Sequence, residues 1–559
     1  MAWTTACTDW AQRLRDRRSI IPAPIFRETA DQALAIFKML KMVDVIGHPT
    51  FGEVCEPFVF DLVAAIFGAL DPATQRRLIR EVLLLIPKKN GKSTIAAGIM
   101  ITALILTQRT DDELLILAPT KEVAENAFKP AKAMIEADDD LKAFLHVQDH
   151  LKTITNLNKN ATLKVVAADA GTVGGKKASW ILIDEEWLFG KMAGAEDMFR
   201  EATGGLASRP EGIVIKLTTQ SNEPPAGVFK KDLERARNIR DGEAVDAEFL
   251  PVLYEYPLDM IKTKAYMRPD TWYMVNPNLG KSVDEAFLAR SLRTAQEEGE
   301  DSLLGFLSKY MNVEIGMNLR SDRWRGADFW EQAGGEAVTF DDLLRRSEVV
   351  VAGIDGGGLD DLLGLALIGR CADTRKWLFW AHAWCHRIVL DLRKDIATTL
   401  HDLESAGDLT IVDLPGEDVD QVADILCQVR DAGLMPPDDQ PGIGVDSAGI
   451  GDIIDELEAP GRDFIETQIV GISQGWKLNG AIKTMERKVA GGELLHGGQP
   501  LMAWCVGNAR VVQAGNAIYV TKQASGKAKI DPLMAGFNAV TLMSRNPEGQ
   551  GKSFWDKPT

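Results

Sequence analysis

Cysteine is scarce in this 559-residue chain and never closely paired. Six cysteines (Cys7, Cys55, Cys371, Cys385, Cys427 and Cys505) lie far apart, with no CxxC. That excludes a zinc-finger signature and a disulfide framework, and it points to a reducing compartment. Positive charge is in deficit: 63 Lys and Arg face 81 Asp and Glu, a formal net charge of −18. Such a total argues against indiscriminate coating of a polyanion, while leaving room for a locally basic channel. Long apolar runs are missing as well. The longest uncharged apolar stretch, Ser93 to Thr107, is interrupted by Ser93, Thr94 and Thr102. It is too short to span a bilayer and reads as a buried helix. The opening MAWTTACTDWAQRLRDRRSI has no apolar core of a signal peptide. Internal repeats and low-complexity tracts are absent too.

What is present is ordinary globular composition, 45% hydrophobic and 26% charged. At about 100–200 residues per domain this length implies several domains. From Pro57 to Thr219 short apolar runs alternate with helical ones. Val82–Ile86, Leu114–Leu117, Leu163–Ala167, Trp180–Ile183 and Ile213–Thr218 read as buried strands, and Glu122–Glu136 as a helix. The expected architecture is α/β with a mostly parallel sheet. From Asp241 to Arg325 the chain turns polar and mainly helical, with a turn at NPNLG and a helical stretch from Val283 to Tyr310. Strand-like runs resume at Val349–Ile354, Leu363–Ile368, Trp377–Trp380 and Ile443–Val445, then at Val511–Val512 and Ile518–Val520. The expected segments are 1–56, N-terminal and helical; 57–240, the first α/β domain; 241–330, a helical linker; 331–547, a second α/β domain; and 548–559, a loose tail.

The run PKKNGKST after the first strand, before an apolar helix, has the strand–loop–helix context of a phosphate loop. Lys92 can reach the β- and γ-phosphates of a nucleotide, and Ser93 can place its hydroxyl on Mg²⁺. Backbone N–H groups around Asn90 and Gly91 can cradle phosphate at the helix N-terminus, with Lys88, Lys89 and Thr94 completing the loop. The leading glycine of the usual pattern is replaced by Ile86. On its own the loop also fits a basic surface turn. SWILIDEEW adds a buried strand tipped by carboxylates. Asp184 suits the Mg²⁺-holding role, and Glu185 is placed to deprotonate an attacking water, ahead of Glu186. KLTTQSN ends another strand with Thr218, Thr219 and Gln220, which can report the state of a γ-phosphate or form a plain strand-end turn.

In the second half, Asp355 ends a strand beside GGG, Asp361 precedes the next strand, Asp446 tips IGVD, and Asp531 opens an apolar helix. Three carboxylates from separate elements, Asp355, Asp446 and Asp531, can hold two hard divalent ions about 4 Å apart for phosphodiester cleavage. The alternatives are strand-end turns, and a helix N-cap at Asp531 before Pro532. His496 in ELLHGGQP has no assigned role. His382 and His386 lie in a partly strand-like run and make no zinc site.

Together these residues resemble the large terminase subunit of tailed double-stranded DNA bacteriophages, in its HK97-like branch. The resemblance runs from Pro57 to Val540 and rests on PKKNGKS, LLILAPTKEVAENAF, ILIDEEW, KLTTQSN, TWYMVNPNLGKSV, IDGGGLDDL, LLHGGQPLMAWCVGNA and IDPLMAGFNAV. It implies an ASCE-type P-loop ATPase followed by an RNase H-like nuclease. It also implies ATP with Mg²⁺ at Lys92, Ser93, Asp184 and Glu185, and two Mg²⁺ or Mn²⁺ at Asp355, Asp446 and Asp531. Implied partners are double-stranded DNA, a small terminase subunit and the portal of the procapsid, with a homo-oligomeric ring on the capsid in the host cytoplasm and no membrane. The family leads one to expect a glutamine near Phe60 for adenine, which is absent, and an arginine finger, for which Arg209, Arg200 and Arg80 are candidates. A helicase–nuclease repair enzyme would need a second RecA-like domain after Asp241. A nucleotide-gated DNA-binding scaffold would carry an inert nuclease half.

Overall fold

The computed structural model describes residues 3–167, 177–192, 194–315, 324–335, 338–394, 396–446, 451–514, 517–522 and 529–549. The chain forms two compact units, Met1–Ile315 and Gly316–Thr559. The tail from 550, the small residues 447–450 after Asp446 and part of the expected linker lie outside the described residues.

The first unit is built on eight strands: β1 (Glu81–Leu85), β2 (Glu113–Ala118), β3 (Leu145–Gln148), β4 (Thr153–Asn156), β5 (Ala161–Ala167), β6 (Ala178–Asp184), β7 (Ile213–Thr218) and β8 (Phe249–Leu253). Their order is β3-β4-β5-β2-β6-β7-β1-β8. Pairing is parallel from β5 through β8 and antiparallel in β3-β4-β5. Strands β6 to β8 are buried along their whole length, and β1 and β2 past their first residue. Burial on both faces is why they read as continuous apolar runs and not as alternation. The helix Lys92–Leu106 is buried over most of its length, as expected.

Three features depart from the sequence reading. Residues 145–156 form an antiparallel hairpin. The segment after Asp241 opens with β8, a strand of this sheet and not linker. The helical stretch from Val283 is two helices, Glu285–Glu298 and Glu300–Met311, broken at Gly299 with φ 111°.

The second unit carries β9 (Ser347–Gly356), β10 (Leu362–Cys371), β11 (Trp377–His386), β12 (Leu409–Val412), β13 (Ile443–Asp446), β14 (Ile469–Ile472) and β15 (Leu494–His496). The order is β12-β11-β10-β9-β13-β14, with β15 beside β11. Strands β9, β10 and β11 form an antiparallel meander, and the other pairs are parallel. A separate hairpin joins β16 (Ala509–Ala514) to β17 (Ala517–Lys522). Strand β11 runs to His386, beyond the expected Trp380.

The helix Asp531–Met543 lies on β9 and β10 at a distance only glycine allows. A Cβ on Gly353 would sit 1.9 Å from the Ala535 carbonyl oxygen, and one on Gly364 2.6 Å from the Pro532 nitrogen. The buried Asn538 Nδ2 ties the helix to β9 by donating to the Ile354 carbonyl at 2.9 Å. Overpacking here is expected to destabilise the fold: Gly353→Ala costs about 1–3 kcal/mol or more in urea denaturation. Gly480→Ala, at a helical glycine with nothing within 4 Å of the added carbon, costs nothing. Equal midpoints for the two variants would contradict this packing.

Candidate nucleotide and nuclease sites

In the first unit the site gathers where β1, β6 and β7 end. The loop after β1 feeds the helix Lys92–Leu106, whose N-terminal N–H groups supply partial positive charge. Lys92 Nζ lies 3.2 Å from Asp184 Oδ1 and 2.6 Å from Glu185 Oε1. Ser93 Oγ donates to Asp184 Oδ2 at 3.3 Å. Burial pulls the Lys92 ammonium toward the neutral form, but the charges of Asp184 and Glu185 outweigh it and hold its pKa above the ordinary value. Burial likewise pushes the Glu185 carboxyl up, and Lys92 brings it back below its usual value. Glu185 is therefore a carboxylate, the form a general base requires.

Glu185 occupies left-handed backbone, φ 55° and ψ 51°, which is costly for a residue with a side chain. Its Oε2 accepts from Trp187 Nε1 at 2.7 Å, and Trp187 N donates to Thr218 Oγ1 at 3.1 Å. Glu186 points elsewhere. It is fully buried, 3.8 Å from Lys216, and burial first and Asp232 second push its carboxyl well above the usual range. It is unsuited to act as the base.

Thr218, Thr219 and Gln220 are fully buried. Gln220 N donates to Asn312 Oδ1 at 3.3 Å, and Lys309 Nζ donates to the Gln220 carbonyl at 2.6 Å. The phosphate loop has its own support. Asn90 Nδ2 donates to Asn276 Oδ1 at 2.8 Å, and Asn278 donates to Asn90 Oδ1 and to its carbonyl at 3.1 and 2.8 Å. Ser282 Oγ donates to the Lys89 carbonyl at 2.6 Å. The Asn90 side chain thus shapes the loop, while Lys88 and Lys89 are exposed and Ser93 and Thr94 half-buried. Sequence reading missed Trp187, Asn276, Asn278, Lys309 and Asn312. Trp187, Asn276 and Asn278 lie in ILIDEEW and NPNLG, and for Lys309 and Asn312 the signal was a lysine and an asparagine inside the apolar run FLSKYMNV. Of the arginine candidates, Arg80 braces the carbonyls of Leu206 and Arg209 at 2.8 and 3.1 Å, and Arg209 is half-buried. Arg200 is exposed, paired with Asp197 at 3.0 Å.

In the second unit the three aspartates come to one end of the sheet. Parallel pairing of Val445 with Ile354 brings the ends of β13 and β9 side by side, one residue before Asp446 and Asp355. Asp355 pairs with Gly364, against which the Asp531–Pro532 peptide packs. Asp531 Oδ1 lies 3.3 Å from where a Cβ on Gly356 would be. Asp531 is the first residue of its helix, with Ile530 as the N-cap, so the capping alternative does not hold. Asp361 makes an ion pair with the buried Lys529, whose Nζ also lies 3.3 Å from the Asp360 carbonyl. Among the described residues, no three carboxylate, imidazole or thiol groups are drawn to ion-coordinating spacing. The three aspartates share an edge and do not form a closed cage. Half-buried oxygen donors on one open edge suit hard divalent cations.

The histidines do other work. His496 Nδ1 accepts from Gly498 N at 3.0 Å, so Nε2 donates to the Trp330 carbonyl at 2.8 Å. The ring stacks on Trp330 at 4.2 Å, a structural role for a neutral imidazole. His382 bonds Thr410 through Nε2 at 2.9 Å, and burial lowers its pKa to about 4. His386 faces Asp418 at 3.4 Å.

Fold and sites define a P-loop ATPase followed by an RNase H-like nuclease, not a second RecA-like domain. The family model "Terminase large subunit, ATPase domain" matches residues 57–233, and "Terminase large subunit, endonuclease domain" matches 253–546, more than half of the chain. The chain belongs to the terminase large subunit family, the DNA-packaging motors of tailed phages, and is an ATPase and a metal-dependent endonuclease. It is similar to the terminase large subunit of Enterobacteria phage HK97, 24% identical over 92% of this chain and 94% of that one. It is 21% identical to the terminase large subunit of Lactococcus phage p2, over 83% and 82%. Among solved structures it resembles the HK97 bacteriophage large terminase at 21% identity, over 91% of this chain and 99% of that chain, with a TM-score of 0.48. No helix among the described residues is long and apolar enough to cross a membrane.

Proposed function

We propose that ATP is held by the loop Lys88–Thr94, with Lys92 on its phosphates and Ser93 and Asp184 holding Mg²⁺. The observation that carries this reading is the meeting of Lys92, Ser93, Asp184 and Glu185 within contacts of 2.6–3.3 Å. When bound, the ion neutralises charge developing on the transferred phosphoryl group. Glu185 takes the proton of the attacking water, and Trp187 and the backbone bend at 185 fix the direction of its carboxylate. Thr218, Thr219 and Gln220 pass the change on, since Thr218 touches the Trp187 backbone and Gln220 accepts from Lys309 on the helix Glu300–Met311. Lys92→Ala is expected to weaken binding of a fluorescent ATP analogue more than about tenfold, the loss of one charge-assisted contact. Unchanged binding would place the nucleotide elsewhere.

For the nuclease, the reading assigns Asp355, Asp446 and Asp531 to hold two Mg²⁺ or Mn²⁺. A nuclease from thermophilic phage G20c, 15% identical over 34% of this chain and 80% of that one (TM-score 0.23), is described with bound magnesium. The domain limits 57–240, 241–330 and 331–547 belong to the same proposal, with β8 carrying the first limit to about residue 253. So do the small terminase subunit, the portal, a homo-oligomeric ring and the host cytoplasm. Arg200 is the arginine candidate most open to a neighbouring subunit.

A further inference from the structure

The helix Glu300–Met311 sends one lysine into the ATPase site. Lys309 is 9% exposed. Its Nζ donates to the Gln220 carbonyl at 2.6 Å and to Thr219 Oγ1 at 3.3 Å. The same nitrogen sits 3.1 Å from the centre of the Trp187 ring, and Lys191 approaches that ring at 5.2 Å. Trp187 is the residue whose indole N–H fixes Glu185. Among the described residues Lys309 forms no ion pair. The nearby carboxylate, Glu185, is engaged by Lys92 and Trp187.

Four charged groups act on Lys309: Lys88 on the phosphate loop, Lys92 on its helix, Glu185 after β6, and Lys191 beyond Trp187. Three of the four are cations. An ammonium buried among like charges is held there by neutral acceptors and a π face, and its missing counter-charge is an anion. The phosphates of a nucleotide would supply several negative charges at that place.

We propose that Lys309 is a positioning residue of the ATPase: anionic phosphate at the loop keeps its ammonium charged, and the charged ammonium clamps Gln220, Thr219 and the Trp187 ring that orients Glu185. The inference rests on the phosphate site proposed above. Burial first, then Lys88, Lys191 and Lys92 lower the Lys309 pKa to about 6, with Glu185 opposing. Without phosphate the group is mostly neutral at pH 7.5, and its hold on the 218–220 segment is that of an amine. Phosphate charge raises the pKa, so binding takes up a proton. Reciprocally, a charged Lys309 favours bound nucleotide.

The test is calorimetric titration of the full chain with Mg²⁺ and ATPγS at pH 7.5, in two buffers of different ionisation enthalpy. Wild type, Lys309→Arg, Lys309→Met and Lys92→Ala are compared. The nucleotide's own titration cancels between variants. Wild type is expected to take up about one proton more than Lys309→Arg, which is charged throughout. Lys309→Met is expected to match the arginine variant in proton count, and it carries the comparison if arginine prevents folding. Equal proton counts in wild type and variants, with binding lost in Lys92→Ala, overturn the role of Lys309 alone. Undiminished binding in Lys92→Ala overturns the phosphate site and the inference with it.

Discussion

Glu185→Gln is expected to lower ATP turnover by about 10²–10⁴-fold, the range lost with a general base, while nucleotide binding stays near wild type. The substitution keeps the shape of the side chain and removes its basicity. Lys92 retains Asp184 at 3.2 Å, so the cation needed for phosphate is still held. The effect should fall on kcat, because the missing interaction belongs to the transition state. Glu186→Gln is the control. Buried beside Asp232, Glu186 already resists ionisation, so turnover should change little. Comparable losses in the two variants would mean that the wrong carboxylate has been assigned.

Asp355→Asn is expected to reduce metal-dependent cleavage of supercoiled plasmid by more than about 100-fold. Loss of an outer-shell partner costs a metal site about 10–100-fold, and a direct ligand should cost more. ATP turnover should be untouched, since Asp355 belongs to the second unit and the nucleotide residues to the first. The comparison is run in Mn²⁺ and in Mg²⁺, with chelator as the zero. If the variant cuts as fast as wild type, Asp355 is no ligand and the shared edge of the three aspartates has another purpose.

The parts of the fold legible in the sequence were those whose physics is local. Strands β1, β2, β5, β6 and β7 announce themselves because burial on both faces demands uninterrupted apolar residues. Strand β8 was hidden by Pro251 in FLPVL, since proline argues against a central strand. The sheet order resolves this, as β8 is an edge strand. The hairpin Leu145–Asn156 was too short and mixed in character to show a period. Candidate residues were legible for the same local reason: Lys92, Asp184 and Glu185 stand at ends of recognisable elements, as do Asp355, Asp446 and Asp531. That the last three share one end of the sheet was not legible, because it depends on the pairing of β9 with β13 and on a helix seated against Gly353 and Gly364. The partners of the 218–220 segment, Lys309 and Asn312, come from about ninety residues away, and no spacing rule connects them.

The brace on the phosphate loop has a consequence for how the protein is made. Asn90 is fastened by Asn276 and Asn278, the first of these bonds spanning 186 positions. Every residue expected to touch phosphate leaves the ribosome long before those asparagines exist. A nascent chain that has reached residue 240 therefore owns the whole loop, Asn90 included, but neither of the asparagines that brace it. Nucleotide affinity should appear late in synthesis, once the turn at 276–282 has emerged. A fragment ending at 253, which keeps β8 and so the whole sheet, should still bind ATP poorly.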